Sequence, residues 1–155
     1  MKIVKTNDVP WTDALQRGSY HQQRKDLGGL TLLRAGLWKL APGKKSFPLH
    51  RHHATEEALF VVSGRGKVRT EEGESAIGVG DYVAFPPGGV AHQLINDGDE
   101  PLVYVAMGAN PGPVEVVEYP EVNKVASALG GAPYSRRIIL DASHPTDQFD
   151  GDPEA

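Results

Sequence analysis

The chain has 155 residues, which is enough for one domain with a substantial core and too few for two ordinary ones. Its formal net charge is −4 and its Lys and Arg residues are scattered, so the sequence does not indicate binding to nucleic acid or to an anionic membrane. It contains no cysteine, which excludes disulfides, thiolate metal ligands and cysteine nucleophiles.

The start of the chain, MKIVKTNDVPWTDAL, lacks the long apolar run of a signal peptide. No later stretch approaches the roughly 20 apolar residues of a membrane helix. We therefore expect a soluble cytoplasmic protein. Residues 1–29 are mixed and polar, and LGG at 27–29 is typical of a turn. We interpret this segment as an N-terminal arm.

Short apolar runs separated by Gly and Pro dominate residues 30–120. The run at 30–41 predicts the first strand, because Gly36 within it and Pro42 after it disfavour a helix. Short strands with frequent turn signals indicate an all-β sandwich or barrel. The later strands are predicted in FPLHRH, EALFVVSG, KVRT, SAIGVG, DYVAFPP, AHQLIN, LVYVAMGA and VEVVEYP.

The pattern weakens after residue 120. Residues 121–131, EVNKVASALGG, admit one turn of helix, and residues 134–140, YSRRIIL, admit an edge strand or an arm on a partner subunit. The end of the chain is acidic, polar and broken by proline, so we expect it to be mobile. The chain is thus divided into an arm (1–29), a barrel (30–120) and a C-terminal arm with a tail (121–155).

Three histidines and two glutamates lie within LHRHHATEE, residues 49–57. His50 and His52 share one face if this segment is a strand. Glu57 opens the next strand, so a hairpin-like return can bring its carboxylate beside the two imidazoles. His92 could reach the same point from a neighbouring strand of a closed barrel. Three imidazoles and one carboxylate suit a borderline divalent metal, although an H-x-H pair alone is weak evidence.

Here the chain resembles the cupins, whose two motifs are G-x5-H-x-H-x(3,4)-E-x6-G and G-x5-P-x-G-x2-H-x3-N. The first motif is matched by Gly43, His50, His52, Glu57 and Gly64, with six residues instead of five after Gly43. The second is matched by Gly80, Pro86 or Pro87, Gly88 or Gly89, His92 and Asn96, with one residue inserted in the turn before His92. The resemblance covers roughly residues 30–110.

The resemblance implies a double-stranded β-helix, a small jelly-roll barrel with a metal inside near one mouth. It implies one divalent ion per subunit (Zn, Mn, Fe or Ni), held by His50, His52, Glu57 and His92. Glu56 is an alternative to Glu57, because the motif also allows the shorter interval, but the interval to the following motif glycine favours Glu57.

Other residues near the motifs receive weaker assignments. We place His53 behind the ligands or at the surface. His21 and His144 are expected to be ordinary surface residues, although His21 could fold over the barrel mouth. For Asn96 a structural role is favoured over orienting a metal ligand. Gly64 and the other motif glycines allow tight reversals with positive φ.

The resemblance does not fix a reaction, because cupins include isomerases, epimerases, dioxygenases, decarboxylases, storage proteins and ligand sensors. The intact ligand set favours metal-dependent chemistry or metal-assisted binding of a small polar organic molecule. Our leading hypothesis is an enzyme similar to sugar or sugar-phosphate isomerases and epimerases. The alternatives are an Fe(II)-dependent dioxygenase and a non-catalytic binding or sensor protein.

No catalytic residue is assigned from the sequence. Five basic residues are candidates for a phosphate contact, although surface solvation is the favoured role for most of them: Arg34, Arg51, Lys44, Lys45 and Lys67. We expect a homodimer, because the arm-like ends suit one, and no nucleic-acid or membrane partner.

Overall fold

The computed structural model describes residues 1–129 and 136–144, and these residues form almost only β-structure. Their strands are β1 Thr12–Arg17, β2 Tyr20–Gly29, β3 Leu33–Leu40, β4 Arg51–His52, β5 Glu56–Ser63, β6 Arg65–Thr70, β7 Gly73–Gly78, β8 Tyr82–Phe85, β9 His92–Ile95, β10 Leu102–Ala109, β11 Val114–Tyr119, β12 Lys124–Leu129 and β13 Arg136–Asp141. Single 3₁₀ turns occupy Thr6–Asp8 and Pro120–Val122. Within the described ranges, no helix is long and apolar enough to cross a membrane.

The strands form three sheets in the described part of the chain. A six-stranded sheet has the order β1-β2-β3-β10-β5-β8, a four-stranded sheet the order β13-β12-β11-β4, and a three-stranded sheet the order β7-β6-β9. Strand neighbours such as β3 and β10 are far apart in sequence, as in a jelly roll, and they pair antiparallel. The predicted all-β class and double-stranded β-helix are therefore confirmed.

The apolar core lies between the six-stranded and three-stranded sheets. Its buried residues are Leu40, Leu59, Val61, Val68, Ile77, Phe85, Leu94, Leu102 and Tyr104. These side chains alternate along their strands with outward-facing residues, as a sheet with one buried face requires. Further along β3 and β10 the inward positions are filled by Gly36, Ala106 and Gly108, which line a cavity instead of the core.

A hairpin of β1 and β2 extends the six-stranded sheet, and β2 pairs with β3. The turn predicted at residues 27–29 is wrong, because these residues belong to β2 and the reversal follows them, closed by the Leu30 N–H donating to the Leu33 carbonyl at 2.8 Å. The polar composition hid this strand. Its inward residue Gln22 is fully buried and accepts a hydrogen bond from the Tyr104 hydroxyl at 3.3 Å.

The strand predicted in FPLHRH is reduced to Arg51–His52. Residues 47–49 bend instead, and Pro48 among them has no N–H to donate to a neighbouring strand. The helical turn expected within 121–131 is limited to Pro120–Val122, which straddles the start of that segment, and Lys124–Leu129 is a strand. Asn123, with φ of 51°, ends the turn and directs β12 back onto β11.

The described part of the predicted segment 134–140 lies in an edge strand, since β13 pairs only with β12 among the described residues. This outcome agrees with one of its two predicted roles. The expected mobile tail lies mostly in residues 145–155, which are outside the described residues. Whether residues 1–29 and 121–155 act as arms stays a prediction.

Candidate metal centre

Backbone hydrogen bonds join the two histidine-bearing segments. The His92 N–H donates to the His50 carbonyl at 2.8 Å, and the His50 N–H donates to the His92 carbonyl at 3.2 Å. The Gly88 N–H donates to the His52 carbonyl at 2.7 Å. Because Gly88 has φ of 67°, a conformation that favours glycine, the turn before His92 can close onto this strand. These bonds bring the three imidazoles together from distant parts of the sequence.

Glu57 lies at the centre of the histidine group. Its Oε2 is 3.4 Å from Nε2 of His52 and 3.4 Å from Nε2 of His92. The ring centroid of His50 is 5.2 Å from that of His52 and 4.8 Å from that of His92. Ligand atoms of His50, His52 and Glu57 all lie within 4.8 Å of one another, which is close enough for one ion to contact all three.

The protonation of His50 follows from its hydrogen bond. Its Nδ1 lies 2.8 Å from the carbonyl oxygen of Pro48, which can only accept, so Nδ1 carries the proton and Nε2 is left with its lone pair. The Nδ1 atoms of His52 and His92 are buried and have no hydrogen-bond partner among the described residues. The Nε2 atoms of the three imidazoles and the Glu57 carboxylate make a donor set that fits a divalent metal.

The pKa values at this site favour the forms that bind metal. Burial, followed by the charges of His92 and His52, lowers the pKa of His50 from 6.5 to about 4. Burial raises the pKa of Glu57, but the hydrogen bond from His92 and the nearby imidazoles outweigh it, so the pKa lies below its ordinary value. His50 is therefore neutral and Glu57 ionised at neutral pH, as ligation requires.

A second carboxylate, Glu115 on β11, lies behind the histidines and was not predicted from the sequence. It is only 2% exposed, and its Oε1 accepts hydrogen bonds from the N–H groups of His53 and Ala54, each at 3.2 Å. Its Oε2 accepts from the Thr55 hydroxyl and lies 3.7 Å from Nδ1 of His52. Glu115 thus fixes the connection between His52 and β5.

A cavity of about 410 Å³ opens from the histidine group toward solvent. Its walls include Trp38, Phe47, Met107 and Tyr119, and its polar lining includes three arginines on separate strands, Arg24, Arg34 and Arg137. The volume falls within the range of small-molecule sites, and apolar walls combined with polar groups that can orient a ligand are typical of them. The candidate metal centre therefore faces a space that can admit a small organic molecule.

The fold agrees with comparisons to known proteins. Residues 36–108 match the family model of the cupin domain. A candidate sugar phosphate isomerase from Acidithiobacillus ferrooxidans is 32% identical, with 83% of this chain and 81% of that protein aligned at a TM-score of 0.74. The chain belongs to the cupin superfamily.

Two further proteins are similar to this cupin. A sugar phosphate isomerase from Silicibacter pomeroyi, also of the cupin superfamily, superimposes with a TM-score of 0.79 over 96% of this chain and 98% of that one, at 22% identity. Gentisate 1,2 dioxygenase 1 from Aquipseudomonas alcaligenes is 40% identical over 77 residues, which are 48% of the cupin and only 21% of the dioxygenase.

The remaining histidines and Glu56 lie away from the centre of the cupin. His53 is 44% exposed, with Nε2 3.4 Å from Glu118 at the surface. Glu56 is exposed at the start of β5, so of the two neighbouring glutamates the structure places Glu57 beside the imidazoles. His21 lies 3.9 Å from Asp13 and does not line the cavity, and His144 is exposed in the turn after β13.

Of the five basic residues considered for a phosphate contact, only Arg34 lines the cavity. Arg51 forms ion pairs at 3.0 Å with Glu71 and Glu118, and Lys67 pairs with Glu74 and Asp97. The Lys44 ammonium donates to the Gly18 carbonyl. The surface role expected for most of this set therefore agrees with the structure.

Asn96 has the structural role that the sequence favoured. It is fully buried, and its Nδ2 donates to the carbonyls of Leu40 and Glu100, each at 2.9 Å. Its Oδ1 accepts from the Gly98 N–H at 3.0 Å. Asn96 thus secures the chain between β9 and β10 and holds this loop to the end of β3.

Proposed function

We propose that His50, His52, Glu57 and His92 hold one divalent metal per subunit and that this cupin acts with it on a small polar organic molecule. The observation that supports this most is the position of Glu57 Oε2, 3.4 Å from Nε2 of both His52 and His92, at the inner end of the cavity. Zn, Mn, Fe and Ni all accept such a set of nitrogen and oxygen donors.

The surrounding residues hold this donor set in place. The Phe85 ring stacks on His92 with centroids 3.7 Å apart, and the Tyr119 ring stacks on His50 at 5.9 Å. The Pro48 carbonyl fixes the tautomer of His50. Ligands that are held by packing and by backbone hydrogen bonds need little reorganisation when an ion binds.

The leading reaction is the isomerisation or epimerisation of a sugar or sugar phosphate. The likeness to a candidate sugar phosphate isomerase, at 32% identity over most of both chains, supports this choice. A bound metal would supply Lewis-acid polarisation of a carbonyl or hydroxyl oxygen. Tyr119 lines the cavity and accepts a hydrogen bond from Arg137 at 2.8 Å, so its own hydroxyl proton can be donated to a ligand.

A second candidate is an Fe(II)-dependent dioxygenase. The 40% identity to a gentisate dioxygenase favours it, although the match covers a fifth of that protein. The same four residues would serve either reaction, so mutation of the ligands does not separate the two functions. The identity of the active metal does, because a Lewis acid and a redox centre have different requirements.

The test is to load apo-protein with Zn, Mn or Fe(II) and to measure sugar interconversion and oxygen uptake on each preparation. Interconversion with Zn or Mn that persists without oxygen supports the isomerase. Oxygen uptake with Fe(II) alone, and no sugar turnover with any metal, overturns it in favour of the dioxygenase. No activity in either assay, together with a small molecule that co-purifies with the protein, indicates a binding protein.

We also propose that the cupin forms a homodimer through the outer face of the six-stranded sheet. Three large side chains on that face are exposed, Phe60 at 42%, Val62 at 45% and Tyr82 at 63%. Apolar side chains clustered at a surface mark an interaction site more often than single ones do. Sedimentation of the wild type and of Phe60→Lys measures this, with a dimer expected only for the wild type.

A further inference from the structure

Arg34 and Glu57 lie in one cross-strand row on the inner face of the six-stranded sheet. Gly108 on β10 pairs with Arg34 on β3 and with Glu57 on β5. Since neighbouring strands are about 4.8 Å apart, the Cα atoms of Arg34 and Glu57 are separated by roughly 10 Å. Arg34, Gly108 and Glu57 all line the cavity, so the two side chains face the same space.

The inner face of the sheet carries no bulky side chain between Arg34 and Glu57. Gly108, the middle residue of the row, has no side chain, and the next row pairs Gly36 with Ala106. A Cβ atom added at Gly108 would find its nearest neighbour, Thr55 Cγ2, at 3.5 Å, which is an ordinary contact distance. The sheet therefore leaves room for a ligand between the carboxylate at one end and the guanidinium at the other.

The Arg34 guanidinium has no carboxylate or other hydrogen-bond partner within residues 1–129 and 136–144. Other arginines of the barrel differ in this respect, because Arg51 pairs with Glu71 and Glu118, and Arg69 is paired through both terminal nitrogens with Glu121 at 2.7 Å. Arg24, which also lines the cavity, lies over the Trp38 ring at 5.9 Å. Arg34 and Arg24 thus bring to the cavity two guanidinium groups that form no direct ion pair within the described residues, although the Asp26 carboxylate also lines the cavity.

We propose that Arg34 binds the anionic group, a carboxylate or a phosphate, of an organic ligand whose oxygen-bearing end reaches the His50, His52 and Glu57 centre. This inference rests on the proposed metal site, because that site fixes the other end of the ligand. A guanidinium presents a planar pair of N–H donors that matches either anion, so the shared chemistry is bidentate recognition of two oxygens. Gly108 sets the space through which the ligand passes.

Two matched pairs of probes test this inference and separate the two anions. Ribose 5-phosphate is compared with ribose, and 2,5-dihydroxybenzoate is compared with hydroquinone, so each pair differs in one anionic group. Affinities are measured by calorimetry on metal-loaded wild type, Arg34→Ala and Arg34→Lys. Arg17→Ala is the control, because Arg17 is an exposed arginine on β1 that does not line the cavity. Metal content and a thermal melt are recorded for every variant.

The wild type is expected to bind at least one anionic probe about 10-fold more tightly than its neutral partner, the size of one charge-assisted contact. Arg34→Ala should abolish most of this preference, Arg34→Lys should retain part of it, and Arg17→Ala should leave it unchanged. The pair that shows the preference identifies the anion. An equal preference in Arg34→Ala and wild type, or no preference in either pair, overturns the inference.

The metal proposal is tested separately, by the metal content of the protein. If the wild type takes up no metal while the anionic preference and its loss in Arg34→Ala persist, the role of Arg34 stands and the metal site does not. If metal is bound and lost with the histidines while Arg34→Ala has no effect, the metal site stands and the anion contact is wrong.

Discussion

Glu115 Oε2 lies 3.7 Å from Nδ1 of His52, although the two residues are 63 positions apart in the sequence. The same carboxylate accepts two backbone N–H groups and the Thr55 hydroxyl from the connection that follows His52. A buried carboxylate behind a ligating imidazole commonly orients the ring and increases its basicity. Glu115 thus stabilises this connection, and we expect its charge beside Nδ1 of His52 to support the affinity of the candidate metal site.

Replacing Glu115 by Gln should weaken metal binding by about 10-fold or more and lower the melting temperature. The amide has one acceptor oxygen in place of two and turns an NH₂ group toward donors, which leaves buried donors unsatisfied. Metal titration and a thermal melt measure the two effects. Glu118→Gln is the matched control, because Glu118 lies on the same strand but pairs with Arg51 near the surface. Equal metal affinity in both variants would show that Glu115 does not support His52.

The depressed pKa of His50 predicts that metal-free protein loses stability on mild acidification. Its pKa is about 4 in the folded state against 6.5 for the free side chain. As pH falls from about 6.5 to 4, this histidine becomes protonated in the unfolded chain but stays neutral in the folded chain. The difference lowers the free energy of unfolding by about 3 kcal/mol over this pH range. The lowered pKa of Glu57 acts at lower pH, where its stabilisation is lost.

Urea unfolding with a metal chelator, repeated across this pH window, measures the slope. His50→Gln should flatten it, because the substitution removes the group whose protonation differs between the two states. The same slope in His50→Gln and wild type would assign the acid sensitivity to other residues.

Gly108→Val should weaken binding of every ligand that spans the cavity without reducing metal content. The first added atom meets Thr55 Cγ2 at 3.5 Å and Glu57 Cγ at 3.9 Å, both ordinary contact distances, and a larger side chain extends from it into the space between Arg34 and Glu57. Calorimetry with the anionic probe preferred by the wild type measures the loss, which we expect to exceed about 10-fold. Unchanged affinity in a folded, metal-loaded variant contradicts the proposed path of the ligand.

Asn96→Ala should destabilise the fold by about 2–4 kcal/mol while leaving the metal stoichiometry intact, because it removes three buried hydrogen bonds that hold loop backbone. Chemical unfolding and metal analysis at low temperature are compared in this variant. Loss of metal from a sample that is still folded would assign Asn96 to the site instead of to the scaffold.

The resemblance to the cupin motifs predicted which histidines would lie beside Glu57, although the strand expected to carry both His50 and His52 is only Arg51–His52. Glu115 could not be recognised in this way. In VEVVEY, alternation distinguishes two faces but does not show which face is covered, and the burial of Glu115 depends on partners about 60 residues away. The only sequence signal for Glu115 is the alternation, which places it on the same face of the strand as Val117 and on the face opposite to Glu118.

The same reason explains why β2 was missed. Strand prediction from apolar periodicity requires apolar inward residues, whereas β2 directs Gln22 into the core and Arg24 toward the cavity. The strand is stabilised by its pairing with β3 and by the Tyr104 hydroxyl, and neither partner is local in sequence. Polar inward residues mark the part of the barrel where the core gives way to the cavity.

Metal content per subunit in wild type, His52→Ala and His53→Ala tests the central claim most directly. The protein is purified without a histidine tag, and each variant is analysed by mass spectrometry of bound metal beside a thermal melt. His53 is the matched control, since it is adjacent, 44% exposed and directed toward Glu118. We predict about one divalent ion per subunit in the wild type and in His53→Ala, and loss of most of it in folded His52→Ala. Unchanged metal content in His52→Ala, or loss confined to His53→Ala, would contradict the assignment of this site.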